Sequence, residues 1–591
     1  MAFQLSPGVR VREIDLTNIV PAVSTSIAGF AGFFRWGPIN EIVTVSSEKE
    51  MAAIFGTPDD SSLHSTSFFT AGSYLKYSNV LRIIRAGNHD DTVGVSGYSN
   101  ATDMARDTAA PPIFIPNYEV FQSLSNSSKD FSVAARYAGK LGNSITVIVF
   151  NDLNFDDAGL AEYANEFDTA PDSNEIHVLV LDSTGDISGI AGTILEKWNF
   201  LSTVEGTKNQ SGANAYYLDV INERSNWIYF GNEIQNDLDQ VVDTEGLSNS
   251  LVYNLTGAVD LNIDEQGGGD TVREAESTLR DALDLFNDSE TVDIDMLFSI
   301  WTFDPTYNPS GNNKDNIGAK LDTIANERKD IVAFVSPPRD VTVPYQGNVN
   351  ELSLNSITTD LIGWGSNYNS SYVVLDSSAL YVYDKYNDKY RWIPASGHVA
   401  GLCANTDAVA DPWFSPAGLN RGVLRGVIKV AYNPNKTRRD DLYKIGINPI
   451  TFFTGEGIVL FGDKTSLARP SAFDRINVRR LFLVLEKAIS AAARFQLFEF
   501  NDQFTRAQFR SLVNPFLRTV QGRRGITDFL VVCDETNNPG DVIDRNEFVA
   551  DIYIKPARSI NFITLNFIAT RTDANFQEII GLTNTNPAVG S

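Results

Sequence analysis

The sequence predicts a multidomain α/β and α+β protein with extended arms at both ends. Three observations carry this reading. With 591 residues the chain is too long for one core, and 43% hydrophobic with 11% aromatic residues are globular values. From about residue 271 to 336, helix-like and strand-like segments alternate in the order of a parallel sheet with covering helices. Between residues 97 and 254 the chain turns polar and rich in Asn, Asp and Ser, with short strands only, as in an inserted, mainly β domain.

Residues 1–22 read as an N-terminal linker arm. Val9 and Val11 alternate with Arg10 and Arg12, the phase shifts at Glu13–Ile14, and Pro7 and Pro21 bracket the segment. A strand so placed has no partner nearby in sequence. Residues 23–96 with 255–420 form a discontinuous middle α/β domain. It begins with a strand within Ser26–Phe34, a Gly-Pro turn, a strand at Glu41–Val45 and a helix opened by Ser46 or Ser47. A helix at Ser67–Tyr77 and a buried strand at Val80–Arg85 follow.

The inserted outer domain, residues 97–254, carries expected strands at Ser144–Asn151, His177–Asp182 and Tyr216–Ile221. Gly267–Gly269 reads as a linker loop. Helices at about Thr271–Leu285 and Asn316–Arg328 lead into strands Asp293–Ile300 and Ile331–Ser336. The tyrosines from Tyr368 to Tyr390, with Trp364 and Trp392, alternate with acids and serines, which favours a β packing layer over a sugar platform.

The C-terminal α+β domain spans residues 421–571, with a tail at 572–591. Arg475–Phe498 is a long helix with Leu481, Leu485, Ala488, Ala492 and Phe495 along one face. Thr505 and Gln508 match a capping box for a second helix ending near Gly522, and Pro515 should kink or restart it. Strands are expected at Asp528–Cys533, Glu547–Ile554 and Ile560–Thr570.

Charge separates along the chain. Arg421 to Leu530 holds 19 Lys+Arg against 9 Asp+Glu, a net of +10, so the other 481 residues carry −37 of the total −27. Two surfaces with different partners are implied. A strongly acidic chain argues against nucleic-acid binding. Two distant cysteines, Cys403 and Cys533, exclude a disulfide framework or a thiolate zinc site. No apolar run nears the roughly 20 residues that span a bilayer, and the N-terminus lacks a signal-peptide core, so a soluble chain made in a cytoplasm is expected.

Catalytic patterns are missing from the sequence. His64, His89, His177 and His398 lie in unlike segments without metal-ligand spacing, and no nucleophile elbow or phosphate loop occurs. Asp59–Asp60, Asp90–Asp91 and Asp440–Asp441 read as solvated turns. No catalytic residue, metal or cofactor is expected. One stripe stands out: Arg480, Lys487 and Arg494 are seven apart, roughly 100° from the centre of the apolar face. Such a helix can bury one side and offer the other to an acidic partner. Arg475, Arg479, Arg506, Arg510, Arg518, Arg523 and Arg524 add charge nearby.

At this point the residues resemble the contractile tail sheath protein family of phages and related injection machines. The likeness is densest in WIPASGHVAGLCANTD (Trp392–Asp407), DPWFSPAG (Asp411–Gly418), DDLYKIGINPI (Asp440–Ile450) and NVRRLFLVLEKAI (Asn477–Ile489). SPGVRVREID (Ser6–Asp15) followed by SIAGFAGFFRWGPIN (Ser26–Asn40) is similar too. GDKTSLA (Gly462–Ala468) is more polar than the family pattern, and Phe500 replaces a common Pro in FEFND (Phe498–Asp502).

The resemblance implies a structural subunit packed in rings, stacked helically around an inner tube and contracting to drive it through a cell envelope. Implied partners are further copies of the chain, the inner tube, the baseplate and the tail terminator, without nucleic acid or stable membrane insertion. The implied location is a virion tail assembled in a host cytoplasm. Arg475, Arg479, Arg480, Lys487 and Arg494 are the expected tube contacts. Val9, Arg10, Val11, Arg12, Ile14 and Leu16, with Ile560, Phe562, Thr564 and Asn566, are expected to exchange strands between subunits. A sheath of a non-phage injection system is the nearest alternative, and a surface glycan hydrolase the alternative of another class.

Overall fold

The computed structural model describes residues 25–88, 98–103, 113–125, 128–232, 234, 238, 251–260, 270–301, 316–343 and 354–561. The arm at 1–22 and the Gly267–Gly269 loop lie outside these residues. Three hydrophobic clusters account for most of the buried apolar side chains.

The largest cluster surrounds a seven-stranded sheet. Its order is Ile447–Asn448, Val373–Asp376, Val332–Val335, Met296–Ser299, Ala28–Gly32, Leu81–Arg85 and Ile42–Val45. All neighbours are parallel except the last strand, which runs antiparallel at the edge. The expected strands at 293–300 and 331–336 are thus central strands of a parallel sheet, each trimmed at its ends.

Ala28–Gly32 is buried throughout, because helices cover both faces of the sheet. Side chains alternate across a strand, and the two glycines mark the two sides. A Cβ on Gly29 would stand 3.0 Å from Phe286, just beyond helix Asp270–Asp284. A Cβ on Gly32 would stand 3.0 Å from Ser67, in helix Ser62–Leu75. Only glycine lets both helices approach this closely.

At the carboxyl ends of the central strands, helix Ser396–Val409 is plugged into the sheet. The Ser396 amide donates to Ser336 Oγ at 2.9 Å, and Ser396 Oγ donates to the Ser299 carbonyl at 3.0 Å. Ser336 Oγ in turn donates to Asp376, which is 2% exposed. With only hydroxyl and amide partners, burial pushes the Asp376 carboxyl up to about 7.

The second cluster belongs to the inserted segment. A four-stranded antiparallel sheet has the order Thr193–Ser202, Glu175–Asp182, Ile145–Phe150, Val252–Asn254. Tyr217–Arg224, expected to open as a strand, is a helix. Its buried residues Tyr217, Val220 and Ile221 follow a helical rather than an alternating spacing.

Arg85 pins this region to the large sheet. Its buried guanidinium donates to the carbonyls of Phe34, Arg35, Gly37 and Ala138 and lies over the Tyr98 ring. Trp36 stacks on Trp227 at 5.2 Å across the same joint. A buried guanidinium is tolerated here because its donors meet carbonyls.

Of the tyrosine-rich segment, Tyr381, Tyr383, Tyr390 and Trp392 lie in a three-stranded antiparallel sheet of Leu380–Asp384, Lys389–Ile393 and Lys429–Val430. Trp364 belongs to helix Leu354–Gly365, and Tyr368 and Tyr372 lie outside the sheet, which corrects the expected layer there. Tyr381 pairs with Trp392 and Tyr383 with Tyr390 on one face, while Leu380, Val382 and Ile393 are buried. Tyr383 and Tyr390 are exposed, so the packing layer is one-sided.

Candidate assembly surface

The third cluster joins helix Ile476–Ala493, helix Gln503–Gly522 and the hairpin of Ile526–Val532 with Asp551–Pro556. Leu481 and Leu485 meet Phe509, Val513, Leu517 and Val520, the facing apolar stripes of two amphipathic helices. The second helix opens at Asp502, whose carboxylate accepts from the Thr505 amide at 2.8 Å. The Thr505–Gln508 capping box is therefore corrected: a carboxylate at the start of the turn takes the free amide first. Pro515 neither ends nor restarts the helix, which runs unbroken from Gln503 to Gly522. Pro515 is exposed, where water can satisfy the Ser511 carbonyl that loses its helical donor.

The basic stripe does fall on one face, but that face meets acids of the same chain. Arg480 is 4% exposed and donates to Asp407 at 2.5 Å, to the Cys403 carbonyl at 3.1 Å and to the Thr25 carbonyl at 3.2 Å. Burial opposes its charge, yet Asp407 outweighs burial and holds the guanidinium protonated above its ordinary range. The same desolvation pushes the Cys403 thiol up to about 12. Two turns on, Lys487 donates to Asp293 and, at 2.9 Å, to Asp295. Burial opposes the Lys487 charge, and the two carboxylates more than compensate. For Asp295 burial prevails, and its carboxyl is raised despite Lys487.

Arg479 is buried as well, 4.2 Å from the ring centres of Tyr372 and Phe473, with a hydrogen bond to Ser371 Oγ. Arg475 donates to Asp463 at 2.9 Å and to the Tyr443 hydroxyl. The expectation of a solvent-facing row of cations is thus corrected for Arg475, Arg479, Arg480 and Lys487, which fasten this helix to the rest of the chain. Arg494 is exposed and, among the described residues, has no ion pair. Asp407, Asp293, Asp295 and Thr25 were not foreseen, since no sequence spacing ties them to the helix.

The hairpin offers backbone instead of charge. Phe529, Val531, Ile552 and Ile554 pack onto the helices, while the opposed pair Leu530 and Tyr553 stays exposed. Among the described residues neither strand has a second neighbour, so both outer edges keep unpaired amides and carbonyls. Of the expected exchange residues, Ile560 is described and is exposed outside any strand. Val9, Arg10, Val11, Arg12, Ile14, Leu16, Phe562, Thr564 and Asn566 lie outside the described residues.

Two further features lie at opposite ends of the helix pair. The connection holds Phe495, Leu497, Phe498, Phe500 and Phe504, all more than 60% exposed. At the other end a groove of about 1210 Å³ is floored by Trp413, Phe414 and Phe461 and rimmed by Arg421, Lys436, Arg439, Arg524 and Arg558. Sequence reasoning noticed FEFND as a motif but not its solvent-facing rings. The described histidines each have local partners: His64 with Asp59, His177 with the Thr169 carbonyl, His398 with the Tyr77 hydroxyl.

Comparison with known proteins matches three stretches of the chain. Residues 25–86 fit the tail sheath protein Gp18 domain III N-terminal region, 309–466 the phage tail sheath protein central domain, and 468–570 the phage tail sheath C-terminal domain. The tail sheath protein of Vibrio phage KVP40 is 33% identical, over 98% of this chain and 100% of the relative. That of Enterobacteria phage T4 is 32% identical, over 98% and 99%. Among solved structures, the sheath tail protein Lin1278 from Listeria innocua shares the fold, with a TM-score of 0.50 at 13% identity over 92% of this chain and 97% of that one. The chain therefore belongs to the contractile phage tail sheath family and is a sheath subunit, a structural component of a virion tail.

Proposed function

We propose that the subunit works without catalysis, by polymerising as stacked rings around an inner tube and contracting to drive that tube through a cell envelope. The N-terminal arm (Val9 to Leu16) and the segment from Ile560 are lent to neighbouring copies as added strands. The open-edged hairpin Ile526–Val532/Asp551–Pro556 carries this reading, because strand addition draws its affinity from unpaired backbone groups. Swapped strands then act as hinged tethers, so rigid bodies can turn without subunits parting.

Tube contact rests on Arg494 and the exposed Arg518 rather than on the buried cations. A few exposed charges per copy give a grip that is individually weak and strong by repetition. Baseplate and terminator proteins cap the array, and assembly takes place in the host cytoplasm. The inserted domain faces outward, where its acidity keeps the particle soluble. Electron microscopy of the purified chain, with and without a tube, tests the reading: striated sleeves are expected, and dispersed monomers under all conditions count against it.

A further inference from the structure

We infer that the aromatic connection 495–504 is a knob that seats in the basic-rimmed groove of a second copy of this chain. Five bulky apolar side chains in ten residues form a patch of the kind that soluble surfaces avoid unless something covers it. Phe498 is fully exposed and has a φ of +68°, a left-handed conformation unfavourable for a bulky side chain. Strain that serves to present a ring points to a use for the ring.

The occupant follows from complementarity and distance. The knob carries Glu499 and Asp502, both exposed, among its rings; the groove has an aromatic floor and a rim dominated by arginine. Arg524 and Arg558 are exposed without a carboxylate partner among the described residues. Rings meeting rings, with carboxylates meeting guanidinium groups, satisfies both surfaces. The knob cannot reach the groove of its own chain. The 20-residue helix Gln503–Gly522 separates them by about 30 Å at 1.5 Å per residue. A contact between different patches at opposite ends is heterologous and propagates instead of closing. The inference rests on the sheath reading and adds a direct contact to the exchanged strands.

Cysteine pairing tests it in the full chain, whose own Cys403 and Cys533 are buried. A Glu499→Cys, Arg558→Cys protein, assembled and mildly oxidised, gives a ladder of disulfide-linked multimers. Mixing the two single variants gives dimers only. Phe498→Ser with Phe500→Ser raises the concentration needed for polymerisation by about tenfold or more without changing the melting temperature. Arg558→Glu weakens assembly, and Glu499→Arg restores it. Sleeves that form normally but yield no cross-link between copies overturn the inference and leave the sheath reading standing. Cross-links from position 499 to the tube alone, or a groove filled by residues 562–591 of the same chain, overturn it equally. An unsubstituted chain that never polymerises overturns both.

Discussion

Arg480 and Asp407 form an ion pair 2.5 Å long, with side chains 4% and 8% exposed, at the seam between the C-terminal helix and the large sheet. Thr25 Oγ1 donates to the same carboxylate at 2.8 Å, so the first described residues of the chain are tied into this seam. Lys487 with Asp293 and Asp295 repeats the arrangement two turns along. The helix is thereby buttoned to its own chain by charge as well as by apolar packing.

Removing one member of a buried pair strands the other, which costs about 3–5 kcal/mol. Asp407→Ala is expected to lower the melting temperature strongly. The double variant Asp407→Leu, Arg480→Met should recover much of the loss. A single variant that melts like the parent would disprove the role of the pair.

Exposed cations predict the opposite pattern. Arg494→Glu with Arg518→Glu should leave the melting temperature unchanged and impair tube-templated assembly at physiological salt, with weaker effects as salt rises. Arg480→Glu should instead destabilise the monomer. Unaltered assembly of the Arg494/Arg518 variant would remove these residues from the tube contact.

Asp376 predicts a pH dependence. Its folded pKa of about 7 stands above the unfolded value of about 3.9, so between these limits the folded chain holds a proton the unfolded chain has lost. Its contribution is complete below about pH 4 and disappears as pH rises through 7, up to about 4 kcal/mol in all. Denaturant unfolding at pH 5 and 7.5 should show Asp376→Asn gaining on the parent at the higher pH. Parallel behaviour of the two proteins would refute this.

Deleting residues 1–16 should leave a soluble, folded monomer that cannot polymerise, read by sedimentation and microscopy. Normal sleeves from the shortened chain would refute strand donation by the arm.

Much of this was legible in the sequence. Buried parallel strands announce themselves as apolar runs, which makes Ile331–Ser336 readable, and Val80–Arg85 is readable from Leu81, Ile83 and Ile84 despite Arg82 and Arg85. The period of seven made the Arg480, Lys487, Arg494 stripe readable as one face, but not that Arg480 and Lys487 turn inward onto acids of the same chain while Arg494 stays exposed. Which acids they meet was not readable either, because Asp407 lies 73 residues from Arg480 and Asp293 lies 194 from Lys487. Tyr216–Ile221 was expected as a strand where polar neighbours masked the helical spacing of Tyr217–Arg224. Phe495, expected on the apolar face of a helix to Phe498, is exposed because the helix ends at Ala493. The other rings up to 504 escaped notice because an apolar residue beside a helix end is by default assigned to a core.

The Arg85 joint bears on what an observer of the working polymer would see. Carbonyls of Phe34, Arg35 and Gly37 on one side of the seam and of Ala138 on the other close on one guanidinium, so a swivel of the inserted region against the large sheet would break the Ala138 bond. Two fluorophores placed across that seam should keep one separation before and after firing. Any change in girth then reports how copies are arranged, not how a copy is bent.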